Sequence, residues 1–211
     1  MPDGLLRVGL TGGIATGKSY VRQRLEDAGL PTIDADHLAR EAVSPGAPGL
    51  QAVINRFGRD ILTETGALDR ARLGAVVFRD AAARADLEAI IHPEVRQRIA
   101  DWLAGLVQEG YRGPVVADIP LLFETDRTRD FDIIVVVACD PDRQRTRLME
   151  RDRLSEEDAE RRLVAQWPIA DKVRAADYVV MTDGTFADTD AQVDALVARL
   201  RSEQFSIQDS E

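Results

Sequence analysis

The residues best able to do chemistry come early in the chain. Gly12-Gly13-Ile14-Ala15-Thr16-Gly17-Lys18-Ser19 fits the pattern G-x-x-x-x-G-K-[ST] without mismatch. Its glycines let the backbone curl so that successive N–H groups point inward at anionic oxygens. A helix starting just downstream adds the positive end of its dipole. Lys18 supplies a point charge to the β- and γ-phosphates, and the Ser19 hydroxyl is suited to ligate Mg²⁺. Tyr20 adds its backbone N–H to the same anion, and its side chain is not expected to take part. The implied ligand is a nucleoside triphosphate with Mg²⁺.

Carboxylates and guanidiniums follow at intervals. Ile33-Asp34-Ala35-Asp36 ends a short strand candidate, Pro31 to Asp34. Phosphoryl transfer needs a group that orients the attacking hydroxyl and accepts its proton, and Asp36 is suited to that. Asp34 serves equally well as a helix cap. Arg40, four residues after Asp36, can pair with it or with a substrate phosphate. Asp118 stands near the end of another apolar strand, where a second carboxylate contacts the Mg²⁺ shell or is simply strand-end polarity. Whether Asp34 or Asp118 touches metal stays open. Arg147 and Arg151 lie at i and i+4, so they share a helix face. Two guanidiniums on one face match a lid over transferring phosphates. The other arginines nearby read as surface ion pairs with the Asp and Glu between them. Two histidines, His37 and His92, and one cysteine, Cys139, cannot assemble a common zinc site.

The elements that position these residues are strands alternating with helices. Strand candidates are Leu5 to Leu10, Pro31 to Asp34, Val115 to Ile119, Phe131 to Ala138 and Tyr178 to Met181. Helical patterns run from about Gly17 to Ala28, through most of 36–110, from Asp140-Pro141 onward, and from Phe186 to Arg201. Breaks are expected at Ser44-Pro45-Gly46, Thr65-Gly66, His92-Pro93 and Trp167-Pro168. The polar stretch from Ser202 to Glu211 is expected to fray. Short apolar strands between helices imply an α/β fold with a parallel sheet covered on both faces. Ligands in such folds gather at the C-terminal ends of the strands, where the loop, Asp36 and Asp118 all fall.

Composition bounds the partners. The chain has 211 residues and a formal net charge of −10, which argues against a nucleic-acid partner. No apolar run is long enough for a membrane span. A single cysteine and the lack of a secretory pattern suggest a cytoplasmic protein.

Taken in order, the motifs resemble one family. They are Leu10-Thr11-Gly12-Gly13-Ile14 running into Gly17-Lys18-Ser19; Ile33-Asp34-Ala35-Asp36 with Arg40; Pro45-Gly46; Ile91-His92-Pro93; Pro120-Leu121-Leu122-Phe123-Glu124; Arg147-Leu148 with Arg151; Gln166; and Ala176-Asp177-Tyr178. Over about residues 7–203 the chain resembles the dephospho-CoA kinases. The resemblance implies a P-loop NTP hydrolase/kinase fold with a five-stranded parallel core, a helical CoA-binding part and a lid. The core would comprise 5–36, 112–140 and 176–203, the acceptor-binding part about 37–111, and the lid about 141–175, with a polar tail at 204–211. It implies transfer of the γ-phosphoryl of ATP to the ribose 3′-hydroxyl of dephospho-CoA. The sequence does not give the oligomeric state, and a monomer is expected. Asp36 would be the base, assisted by Lys18, Arg147 and Arg151. Acceptor contacts would fall on Asp36, Arg40, His92, Leu121 and Glu124, and nucleotide contacts on Gly12 to Tyr20 and on Asp183. The family often has Asn where this chain has Asp183, and Asp accepts hydrogen bonds but cannot donate as an amide does. Other small-molecule phosphate-loop kinases share the loop and lid. A guanine switch would carry an N-K-x-D segment, which this sequence lacks.

Overall fold

The computed structural model describes residues 4–208. Its strands are β1 (Leu5–Gly12), β2 (Thr32–Asp34), β3 (Gly113–Asp118), β4 (Ile133–Ala138) and β5 (Tyr178–Met181). They form a five-stranded parallel sheet in the order β2-β3-β1-β4-β5. The β3 and β4 strands are buried from end to end. Runs of β-branched residues without polar alternation suit strands covered on both faces. The helix α1 (Lys18–Asp27) and the C-terminal α9 (Phe186–Gln208) supply much of that cover. Val21 and Leu25 of α1 and Val193, Leu196 and Leu200 of α9 pack with Val8, Leu10, Val116, Val135 and Val137 in one core. Each such side chain contributes about 1.5–3 kcal/mol when fully buried.

Strand order fixes where a ligand can sit. The chain leaves β1, builds β2 and β3 on one side, and then crosses to β4 and β5 on the other. The crevice opens at this reversal, beyond the C-terminal end of β1. There Leu10 is level with Asp118 of β3, and Gly12 with Val137 of β4.

Residues Asp34–Gly105 form a second compact unit. It holds α2 (Ala35–Ala42), α3 (Pro48–Phe57), α4 (Arg70–Arg79) and most of α5 (Ala81–Gln108). Val43, Val53, Ile61 and Leu73 are its buried centre, backed by Phe57, Leu87 and Ile91. The remaining helices are α6 (Pro141–Asp152), α7 (Glu156–Val164) and α8 (Ile169–Arg174).

Two expectations about elements are corrected. His92-Pro93 does not break the helix; α5 runs through it for 28 residues. Proline removes one helical N–H, but Pro93 and Ala89 are both exposed, so the Ala89 carbonyl that loses its donor faces water. The C-terminal helix also does not stop at Arg201 but continues to Gln208. The last residues of the expected tail, 209–211, lie outside the described residues.

Candidate active site

The phosphate loop is built by β1 and α1. Ala15 and Gly17 take left-handed conformations, at φ 59° and 87°, and Gly17 caps α1. Paired turns of this kind aim successive N–H groups into one concavity. The Thr16 hydroxyl closes the turn onto the Gly13 carbonyl at 2.9 Å. Close approach explains the first two glycines. A Cβ on Gly12 would stand 2.5 Å from the Val137 carbonyl oxygen, and one on Gly13 2.4 Å from Nε2 of Gln144.

Side chains from 144–172 hold the loop from behind. Gln144 of α6 donates to the Ile14 carbonyl at 2.7 Å, and the Ile14 N–H donates to Oε1 of Gln166 at 2.9 Å. Nζ of Lys172 lies 3.4 Å from the Gly12 carbonyl and 2.8 Å from Oε1 of Glu124. Glu124 also accepts the Trp167 N–H, and Trp167 stacks on Phe123 with ring centres 5.6 Å apart.

Lys18, on the first turn of α1, is ion-paired with Asp118, which is only 2% exposed. Arg22, one turn further along α1, brings its Nε to 3.5 Å from the other Asp118 oxygen. Asp118 is therefore the counter-charge of the loop lysine. Ser19 is exposed at the same helix start.

Beside the loop lies a cavity of about 540 Å³ lined by Ala15, Gly17, Tyr20, Arg147, Thr182 and Phe186. Arg147 is fixed there by hydrogen bonds to the Thr182 hydroxyl and carbonyl, at 3.0 and 2.7 Å. The Thr182 hydroxyl in turn donates to the Thr16 carbonyl at 2.7 Å. The Tyr20 ring packs 4.8 Å from Phe186 and its hydroxyl donates to Asp190. That hydrogen bond raises the Tyr20 pKa above the usual phenol value. The Tyr20 side chain, expected to take no part, thus forms part of the cavity wall with its ring, and the Tyr20 N–H donates to the Gly17 carbonyl at 3.0 Å. Burial likewise pushes the Cys139 thiol up, with Arg147 opposing.

The other expected residues are placed as follows. Arg151 is exposed and paired with Asp152. The Asp183 carboxylate accepts the Asp140 N–H at 2.8 Å, and Arg143 bonds the Asp183 carbonyl. Leu121 is 42% exposed at the turn after β3. In the second unit, Asp34 caps α2 by accepting the N–H groups of Asp36 and His37. That leaves Asp36 exposed on the first turn of α2, with Arg40 exposed one turn on. His92 is half-buried on α5. Among the described residues, no cluster of three or more His, Cys, Asp or Glu side chains could hold a metal by itself. Gln144 and Lys172 escaped the sequence reading, and Gln166 entered it only as part of a pattern.

A family model described as dephospho-CoA kinase matches residues 6–188. The chain belongs to the dephospho-CoA kinase family. The dephospho-CoA kinase of Geobacillus kaustophilus is 46% identical over 192 residues, covering 91% of this chain and 95% of the relative. Among solved structures, a Thermus thermophilus protein superposes with a TM-score of 0.78 at 32% identity, covering 92% of this chain and 97% of the other. The dephospho-CoA kinase of Campylobacter jejuni gives 0.71 at 26% identity, covering 94% and 98%. The dephospho-CoA kinase family match takes in the loop, α2, α6 and the Thr182 turn.

Proposed function

We propose that this chain transfers the γ-phosphoryl of ATP to the ribose 3′-hydroxyl of dephospho-CoA, giving CoA and ADP. The observation that carries this is a complete phosphate loop at the sheet's crevice, inside a family match spanning residues 6–188. The loop N–H groups between Gly13 and Tyr20 bind the polyphosphate, apart from those of Ile14 and Tyr20, which donate to Gln166 and to the Gly17 carbonyl, and Lys18 balances its terminal charge. The adjoining cavity takes the nucleoside, with Tyr20 and Phe186 as apolar walls and Arg147 on its edge. Asp183 acts there by shaping the 182–186 turn through Asp140 and Arg143.

The residues present fit a bound Mg²⁺. This ion keeps several waters and takes few protein oxygens beside substrate phosphates. Ser19 is exposed at the helix start to provide one. When bound, Mg²⁺ draws charge from the phosphate oxygens. Asp36 orients the 3′-hydroxyl and takes its proton. Because Asp34 caps the helix, Asp36 is left unencumbered for that task. Arg40, His92 and Leu121 serve the acceptor side and Arg151 the lid, while Glu124, expected on the acceptor side, is held behind the loop by Lys172 and Trp167. Positioning and fixed charge do most of the work.

ADP release measured across a panel of acceptors tests the reading. Dephospho-CoA should exceed adenosine, nucleoside monophosphates and shikimate by roughly 10²-fold or more in kcat/KM. Equal rates across the panel, or ADP release without any acceptor, would sink it.

A further inference from the structure

The chain carries 27 lysines and arginines, and only two of them are lysines, Lys18 and Lys172. Lys18 belongs to the phosphate loop. Lys172 lies on the short helix α8, yet it is completely buried. Its ammonium has two neighbours, Oε1 of Glu124 at 2.8 Å and the carbonyl oxygen of Gly12 at 3.4 Å. Both lysines of the chain therefore address the same loop.

Stability alone does not account for this pair. A buried ion pair is often no more stabilising than apolar residues of the same volume, because desolvation offsets the attraction. Glu124 has a further buried oxygen, Oε2, without a hydrogen bond, so Lys172 provides its main compensation. An arginine, the cation used everywhere else, is a planar fork with five donors; a compact ammonium suits a single carbonyl and a single carboxylate oxygen. The Gln144 contact acts in the same sense by taking the Ile14 carbonyl outward, while Gln166 anchors the loop through the Ile14 N–H. A carbonyl oxygen turned toward Lys172 is not turned into the anion site, where it would repel phosphate.

We propose that Lys172 is a positioning residue for the phosphoryl donor. With Glu124 as counter-charge, it draws the Gly12 carbonyl outward and keeps the following N–H groups preset for polyphosphate. This rests on the reading that the loop binds ATP.

The test measures ATP dissociation constants by calorimetry without acceptor, together with Tm, for Lys172→Met and for Lys172→Met combined with Glu124→Gln. The single variant should lose Tm and bind ATP about tenfold more weakly, the equivalent of one hydrogen bond to a charged group. The double variant leaves no unpaired buried charge, so it should recover Tm while ATP binding stays weak. Wild-type ATP affinity in either folded variant would overturn the proposal, since the pair would then be merely structural. A second measurement needs no Lys172 variant. With two lysines, the ¹⁵Nζ spectrum of the wild type contains two side-chain signals, assigned with Lys18→Met. ATP should shift the Lys172 signal as well as that of Lys18, and a Lys172 signal that stays in place would contradict the role. If the wild type itself bound no ATP, the fault would lie with the proposed function and not with Lys172.

Discussion

In the proposed reaction the chemistry turns on Asp36. Its backbone N–H is held by Asp34 while its side chain stays exposed on the first turn of α2. Asp36→Asn keeps the size and removes the proton acceptor. Turnover with saturating ATP and dephospho-CoA should fall by about 10²–10⁴, with little change in ATP affinity. A variant that turns over like the wild type would show that another group accepts the proton. Legibility at this scale depended on what a residue needs around it. Lys18, Ser19 and Asp36 announce themselves by linear spacing, because their neighbours in sequence suggest the roles proposed for them. Lys172 gives no such signal. On α8 it reads as a surface cation, and its meaning comes from Gly12 and Glu124, which are distant in sequence. The one clue was compositional: an Arg-rich chain that keeps a second lysine. Asp118 was legible as important, but its partner was not. It pairs with Lys18 and Arg22.

At the scale of elements, the loop is a backbone device, and its glycines should differ in tolerance. At Gly12 an added Cβ meets the carbonyl oxygen of Val137 in the adjacent strand, which cannot move without disturbing the sheet. At Gly13 it meets side-chain atoms, Nε2 of Gln144 and, at 3.2 Å, Cγ2 of Thr16, and Gln144 can yield at the cost of its hydrogen bond to the Ile14 carbonyl. Gly12→Ala should therefore lower stability by about 1–3 kcal/mol and Gly13→Ala by clearly less, as read by urea denaturation. The reverse order would show that the loop is not seated against β4 as described. The strands were readable because β3 and β4 are uninterrupted apolar runs. The helix α5 was misread at His92-Pro93 because a proline signal carries no information about whether water can reach the deprived carbonyl. The end of α9 was misread for a related reason: a polar sequence can stay helical when its preceding turns are anchored, as Val193, Leu196 and Leu200 anchor α9.

For the whole molecule, a net charge of −10 and a polyanionic ligand are compatible because the cations are local. Lys18, Arg22 and Lys172 lie at or behind the loop, and Arg147 on the cavity beside it. Local field, not total charge, draws a ligand into a cleft. ATP with Mg²⁺ at a hundred times its Kd should stabilise the fold by about 2.7 kcal/mol, a rise in Tm of roughly 5–10 °C for a chain of this size. An unchanged Tm would mean that the loop does not bind the nucleotide in the folded state. The most direct test of the account is the mass of the acceptor after incubation with the pure protein, ATP, Mg²⁺ and dephospho-CoA. The acceptor should gain one phosphoryl group, located on the ribose 3′ oxygen by fragmentation, matched by an equal amount of ADP. An acceptor of unchanged mass, or a phosphoryl group elsewhere on it, would contradict the account.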